Sequence, residues 1–203
     1  HGIKYILNGG NISTECVSYP LQYFYYADMA MVRDVLRRFG TVPMQSYPFT
    51  SVLYRKLYMP LVRGVKMVKP LNMMPYVKRD AMEELERVYG WKPYSQKHFE
   101  SRFTRFYEGY WLPSRFGYDV RRVQFSSMIL TGQMTRDEAL AQLQEPPYDR
   151  SLIRQDFDYV ATKLAITPEV LRGFHDSPKK FYWDYRNNAM LMELGERVLA
   201  RVA

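Results

Sequence analysis

The stretch IKYILNGGN, residues 3–11, decides the fold class of this chain. Its first five residues form a mostly apolar run, which is typical of a strand buried on both faces of a parallel sheet. A second run, VKMV at residues 65–68, predicts a neighbouring strand. Between them, apolar spacing over residues 27–39 predicts a helix that ends at Gly40. The order strand, helix, strand predicts an α/β fold with too few strands to complete a sheet.

Beyond Pro75 the sequence predicts helices and almost no strand. We therefore predict a partial α/β domain at residues 1–77 and a helical domain at residues 78–203. The signals are apolar helical spacing over residues 77–88 and 152–164, Gly90 as a left-handed cap, the capping box Thr135 to Glu138, and Thr167 before Pro168 at a helix start.

Composition narrows the class of partner. The 203 residues carry a formal net charge of +8 and a pI of about 9.5, which favours an anionic partner. The single cysteine, Cys16, excludes an internal disulfide and fits a reducing compartment. No apolar run approaches the ~20 residues of a membrane span, and no signal-peptide pattern opens the chain. These features predict a cytoplasmic protein without a membrane partner.

The small-residue loop after the first strand is a candidate nucleotide-binding site. Gly9, Gly10 and Asn11 follow the strand, where ligands of open α/β sheets bind and where glycine lets backbone amides approach a ligand. Thr14 and Glu15 can contact a hydroxyl or a water on Mg²⁺. An ordinary Gly-Gly turn, with Thr14 and Glu15 capping the next turn, is the alternative.

The stretch KHFESRFTRF, residues 97–106, concentrates positive charge among aromatics. Fixed Lys and Arg donors stabilise negative charge that develops on a phosphate, so Lys97, Arg102 and Arg105 are candidate catalytic residues. Helical spacing would place Arg102 and Arg105 on one face, and likewise Lys97 and Ser101.

His98 is a candidate acid or base in the same cluster, although a lone histidine is more often simply hydrogen-bonded. Glu100 is a candidate substrate contact. The alternative for the whole cluster is a solvated helix face, on which Glu100 and Glu108 pair with their neighbours.

Further candidate substrate contacts follow the second strand and open the stretch from Phe116. Asp119 is also a plausible helix N-cap, and the two arginines suit a diphosphate or the carboxylate of a sugar acid. The candidates are Lys69, Asn72, Tyr118, Asp119, Arg121 and Arg122.

Four ordered blocks resemble a known family. They are GGNISTE (9–15), KPLNMMPY (69–76), KHFESRFTRFYEGYWLP (97–113) and FGYDVRRVQFSSMILTGQMTRDEAL (116–140). Together they are similar to the C-terminal half of the N-acetyl sugar amidotransferases, which are PP-loop ATPases of bacterial surface-polysaccharide biosynthesis. The resemblance runs from about Gly2 to Asn187, and it implies the parallel-sheet fold of adenine nucleotide alpha hydrolases.

The resemblance also implies an activity. In that family ATP activates the carbonyl oxygen of an acetamido group on a nucleotide-linked sugar, and ammonia displaces AMP to leave an acetamidino group. The expected cofactors are ATP and Mg²⁺. The expected partner is a glutaminase complex similar to the two subunits of imidazole glycerol phosphate synthase, which supplies the ammonia for O-antigen or related glycan biosynthesis.

One departure from the family pattern limits this expectation. The SGGKDS-type pyrophosphate loop and the cysteine-rich segment, both upstream in the family, are absent from these residues. We therefore expect the chain to be the C-terminal portion of a longer protein whose N-terminal half is missing here. We also expect it to be unable to turn over ATP alone.

Two alternatives remain open. A PP-loop enzyme that modifies tRNA would explain the basic charge and the aromatics beside arginines. Acidic residues distributed among the basic ones disfavour a nucleic-acid partner. A non-catalytic domain that docks the glutaminase partner is the second alternative.

Overall fold

The chain forms two compact units, for which the computed structural model describes residues 2–20, 28–94, 97–190 and 193–194. The strand unit comprises His1–Asn8, Tyr19–Val68 and Lys180–Ala203, and the helical unit comprises Gly9–Ser18 and Lys69–Lys179. The units therefore interleave along the chain, whereas the predicted boundary between residues 77 and 78 divides it once. The difference arises because residues 9–18 pack with later helices and residues after 180 return to the strand unit.

The described elements are mostly helical. The strands are β1 (Tyr5–Leu7) and β2 (Lys66–Val68). The α-helices are α1 (Ile12–Glu15), α2 (Met29–Phe39), α3 (Lys78–Tyr89), α4 (Arg102–Phe106), α5 (Arg121–Leu130), α6 (Arg136–Gln144), α7 (Ile153–Lys163) and α8 (Pro168–Asp176). Tyr54–Val62 and Tyr107–Phe116 are π-helical, and Pro70–Asn72, Arg150–Leu152 and Tyr182–Asp184 form 3₁₀ turns.

The two predicted strands pair in parallel, with Tyr5 opposite Lys66 and Leu7 opposite Val68. The predicted burial of the first strand on both faces is wrong, because the side chains of Tyr5 and Leu7 are 64% and 74% exposed. Within the described residues β1 has one neighbouring strand, β2. The sequence of β1 is thus as apolar as that of a strand inside a sheet, but the described residues form no layer that covers it.

Buried carboxylates organise the strand unit. Asp28 is fully buried and caps α2 by accepting from the backbone N–H of Ala30 at 2.9 Å. It also accepts from the Tyr182 hydroxyl at 2.5 Å and from the backbone N–H of Asn188 at 2.6 Å. Burial alone would raise the pKa of Asp28, but these hydrogen bonds together lower it. The Asp28 carboxylate thus caps the start of α2 and also binds Tyr182 and Asn188, which lie in the segment that returns to the strand unit. Ala27, its predicted first residue, lies outside the described residues.

The core of the helical unit lies where α4, α7 and α8 meet. It comprises Phe106, Phe157, Val160, Ala161 and Leu171, all less than 5% exposed. Tyr110, Trp111, Tyr159 and Ile166 pack against it. The spacing predicted over residues 152–164 is confirmed for Phe157, Val160 and Ala161, which face this core from α7, whereas Leu164 follows the helix and is exposed.

Local end signals of the helical unit are confirmed. Thr135 and Glu138 form a reciprocal capping box at the start of α6. Thr167 caps α8, whose first residue is Pro168. Gly90 ends α3 with φ +63°, in the left-handed region that favours glycine.

The loop after β1 belongs to the helical unit. Asn11 caps α1 by accepting from the backbone N–H of Thr14, and α1 packs against α5. The backbone N–H of Val17 donates to the Ser127 hydroxyl of α5 at 3.0 Å. In the described part of the chain, every helix is too short or too polar to cross a bilayer.

Candidate anion-binding site

A cavity of about 1170 Å³ lies within the helical unit. Residues from the α1 loop, from α3 and α5, and from the segment around Tyr148 line it. Its lining combines apolar side chains such as Met82, Phe125 and Met128 with basic and amide groups. The basic and amide groups are Lys78, Arg79, Lys97, Arg105, Arg121, Gln124, Gln133 and Gln142, and four carboxylates, Glu83, Glu86, Glu145 and Asp149, also line the cavity. Three predicted site residues, Lys97, Arg105 and Arg121, therefore share one cavity.

The structure joins the predicted loop to the predicted cationic cluster. The Lys97 ammonium contacts Glu15 Oε1 at 2.8 Å, and Asn72 Oδ1 accepts from the backbone N–H of Ile12 at 2.8 Å. Thr14 is buried inside α1 and its hydroxyl donates to Asn11 Oδ1, so the cap of this turn is Asn11 and not Thr14 or Glu15 as the capping alternative expected. These contacts bring three separate sequence blocks together around α1, with Asn72 at its first residue and Lys97 at its last.

The glycines and Lys69 are less constrained. A Cβ on Gly9 would meet nothing within 4 Å, so open space lies beside this residue. Gly10 is half-buried. Lys69 is exposed at the start of the 3₁₀ turn Pro70–Asn72. Their roles in binding stay predictions.

Arg102 and Arg105 converge on one carboxylate, that of Asp156. Arg105 donates from Nε to Oδ2 and from a terminal nitrogen to Oδ1, both at 2.9 Å. Arg102 Nε and the Tyr148 hydroxyl donate to the same group. Asp156 is fully buried, which would raise its pKa, yet these hydrogen bonds lower it. Much of the charge of the two predicted catalytic arginines is therefore matched within the protein.

Sequence reasoning missed Asp156, because this residue lies far from Arg102 and Arg105 along the chain. Its signal was a charged residue beside Phe157 within the apolar spacing of α7. Under the alternative interpretation, a solvated helix face, we expected Glu100 and Glu108 to pair with their neighbours. The structure instead pairs both arginines with Asp156, and their catalytic assignment stays a prediction.

Residues Lys97 to Glu100 form a turn, so the predicted helical relation between Lys97 and Ser101 is wrong. The backbone of His98 takes φ +69°, and Ser101 is the N-cap of α4, accepting from the N–H of Thr104. The helix therefore begins after the turn. His98 as a whole residue is exposed, but its ring is partly desolvated. This desolvation is the main cause that lowers the pKa of His98, and the nearby charge of Lys97 lowers it further.

Arg121 is held on all sides by protein acceptors. It is 7% exposed, pairs with Asp119 at 2.7 Å, and donates to the carbonyls of Gln142 and Glu145 at 3.0 and 2.9 Å. Asp119 also accepts from the backbone N–H of Arg121, the first residue of α5, but the N-cap of this helix is Val120 and not Asp119 as predicted. Arg122 is exposed, and Tyr118 is half-buried.

Glu108 is a second titratable residue that sequence reasoning did not assign to a site. Its Oε2 is buried and has no hydrogen-bond partner among the described residues. Burial, reinforced by Glu100 and opposed by Lys97, raises the pKa of Glu108 to about 7. A carboxyl of this kind can hold or release a proton near neutral pH.

The helical unit therefore offers a cavity in which basic and amide donors lie beside apolar side chains and carboxylates. Residues 100–199 match the family described as LPS biosynthesis protein WbpG-like, C-terminal domain. The match confirms the resemblance to the C-terminal half of a polysaccharide-biosynthesis protein of amidotransferase type and supports a role in polysaccharide biosynthesis. Neither the curated proteins nor the solved structures contain a match to this chain.

Proposed function

We propose that the chain is the C-terminal part of an ATP-dependent amidotransferase that converts an acetamido group of a nucleotide-linked sugar to an acetamidino group. The match of residues 100–199 to a lipopolysaccharide-biosynthesis domain carries this proposal. Support comes from the cavity in the helical unit, whose basic lining suits the diphosphate of such a substrate. The cavity volume also suits a ligand larger than a single sugar ring.

The reaction exchanges the acetamido oxygen for a nitrogen. ATP would supply activation of that oxygen, which leaves with AMP, while pyrophosphate is released and ammonia provides the new nitrogen. Residues of this chain would orient the anionic substrate and exclude water from the cavity. Lys97, tied to the α1 loop through Glu15, has the position and charge to hold a phosphate oxygen there.

The proposal assigns the ATP phosphates to a preceding α/β half with the PP-loop fold. The pyrophosphate loop of the resembled family is not among these 203 residues. The described residues contain no group of three or more His, Cys, Asp or Glu placed for a metal, so we assign no residue to Mg²⁺. Exposure of the apolar strand β1 supports a further part of the sheet that would cover it.

An AMP-release assay on the protein with its N-terminal half tests the proposal. Ammonium chloride would replace the glutaminase partner, and nucleotide-linked acetamido sugars would be compared with bulk tRNA. We expect AMP only with an acetamido sugar, and a product lighter by the difference between O and NH. Turnover that depends on tRNA would instead support a tRNA-modifying enzyme.

A partner-docking role is the second candidate, because apolar side chains such as Leu57, Leu61 and Val62 are exposed in the strand unit. Arg122→Ala separates the two, since the side chain of this exposed arginine makes no hydrogen bond or ion pair with the described residues. Loss of turnover with the glutaminase complex intact supports the amidotransferase, and loss of the complex supports docking. Arg136→Ala, at another exposed arginine, is the matched control.

A further inference from the structure

The lining of the cavity in the helical unit contains hydrogen-bond donors that the described residues do not use. Lys78, the first residue of α3, is half-buried there. Its backbone N–H donates to Gln133 Oε1 at 3.0 Å. Its ammonium has no hydrogen bond or ion pair with any described residue. An ammonium carries three donors, so all three remain available to a ligand.

Lys97 lies close enough to Lys78 for their charges to interact. Burial and the Lys97 charge both lower the pKa of Lys78, and no carboxylate contributes to the shift. Lys97 itself has one acceptor, Glu15 Oε1, which leaves two of its donors unused. Four carboxylates also line the cavity: Glu83 and Glu86 lie further along α3, and Glu145 and Asp149 lie between α6 and α7. Glu15 contacts Lys97, and the Lys97 charge also acts on Glu108, so of the two neighbouring cations Lys78 is the one without a carboxylate partner among the described residues.

Gln124 adds a neutral donor from α5. This residue is 7% exposed and lines the same cavity, and its Nε2 is buried without a hydrogen-bond partner among the described residues. Leaving a buried donor without an acceptor is destabilising, so an acceptor supplied at this position would stabilise the folded chain. The unused groups of Lys78, Lys97 and Gln124 are all donors.

We propose that Lys78, Lys97 and Gln124 form an oxyanion subsite of the cavity that binds the phosphate or diphosphate group of a ligand. Lysine binds phosphate as a compact point charge, and two lysines suit the multiple charge of a diphosphate. The diphosphate of a nucleotide-linked sugar and inorganic pyrophosphate share this chemistry. The choice of a nucleotide-linked sugar as the ligand rests on the proposed function, whereas the existence of the subsite does not.

Isothermal titration calorimetry on the full chain tests the subsite with three probes: inorganic pyrophosphate, UDP and UDP-N-acetylglucosamine. We expect at least one probe to bind, with an affinity that Lys78→Gln and Gln124→Leu each lower by about tenfold or more. Lys78→Arg should retain binding because it keeps the charge. Lys179→Gln is the matched control, since Lys179 is exposed and outside the cavity.

Removing the Lys78 charge should not endanger folding, because this ammonium is disfavoured by burial and by Lys97. Equal thermal melting of Lys78→Gln without ligand would verify that. Tighter binding of UDP-N-acetylglucosamine than of pyrophosphate assigns the subsite to the nucleotide-linked sugar, and the reverse assigns it to pyrophosphate. No binding by any probe, or equal binding by Lys78→Gln, overturns the subsite. Because these measurements need no turnover, a negative AMP-release assay would refute the proposed function alone.

Discussion

At the scale of single residues, the Glu108 carboxyl makes the stability of the protein depend on pH. Its pKa is about 7 in the folded chain, above the ordinary value of 4.5. Between these values the folded chain keeps a proton that the unfolded chain releases, so the free energy of unfolding falls as pH rises from 4.5 to about 7. The contribution is fully present below that window and lost above it.

Glu108→Gln removes this dependence because a glutamine does not ionise. We expect the variant to be roughly 1–3 kcal/mol more stable than the parent protein at about pH 8 and similar to it at about pH 4. Urea unfolding at the two pH values measures this. Glu84→Gln is the control, since Glu84 is exposed on α3. Equal effects of the two substitutions at both pH values would contradict the assignment.

The buried Asp156 carboxylate stabilises the protein by binding Arg102 and Arg105. Asp156→Asn leaves the Arg102 and Arg105 guanidiniums without their shared carboxylate, so we expect a loss of about 2–5 kcal/mol in the free energy of unfolding. Asp158→Asn is the matched control two residues along α7, where the side chain is exposed. Denaturant titration compares the two, and a loss below about 0.5 kcal/mol would show that the buried pairing contributes little.

At the scale of elements, two glycines of the helical unit should respond oppositely to alanine. Gly90 ends α3 with φ +63°, so Gly90→Ala should destabilise the protein by about 1 kcal/mol. Gly173 lies inside α8, and an added Cβ would meet nothing within 4 Å, so Gly173→Ala should stabilise it by about 0.5–1 kcal/mol. Thermal melting of both variants checks the signs, and a shared sign would count against these backbone assignments.

Elements whose signals are local were predictable from the sequence. The capping box of α6 spans four consecutive residues, and the left-handed cap at Gly90 depends on one. The pairing of Arg102 and Arg105 with Asp156 was not predictable, because these residues lie 54 and 51 positions apart. The same reason applies to Lys78 and Gln124, since only tertiary packing brings α3 and α5 to one cavity. The turn at Lys97 to Glu100 was missed because His98 adopts a backbone conformation that its residue type rarely takes.

At the scale of the whole molecule, the exposed face of the strand unit should govern association. Tyr5 and Leu7 are 64% and 74% exposed, and apolar strand surface in water promotes pairing with another chain. We expect the chain alone to associate with rising concentration, and Tyr5→Lys with Leu7→Lys to weaken that association without lowering the free energy of unfolding. Sedimentation velocity measures the first effect and urea unfolding the second.

The matched control is Arg79→Glu with Arg87→Glu on α3, which changes charge at exposed positions of the helical unit. If the strand variants associate as the parent chain does, β1 is not the associating surface. If they remain monomeric and also fail to join the α/β half that the proposed function places before this chain, when that half is supplied in trans, one surface serves both contacts. That outcome would explain why an apolar run typical of a sheet interior is exposed in the described residues, because its covering layer would come from outside them.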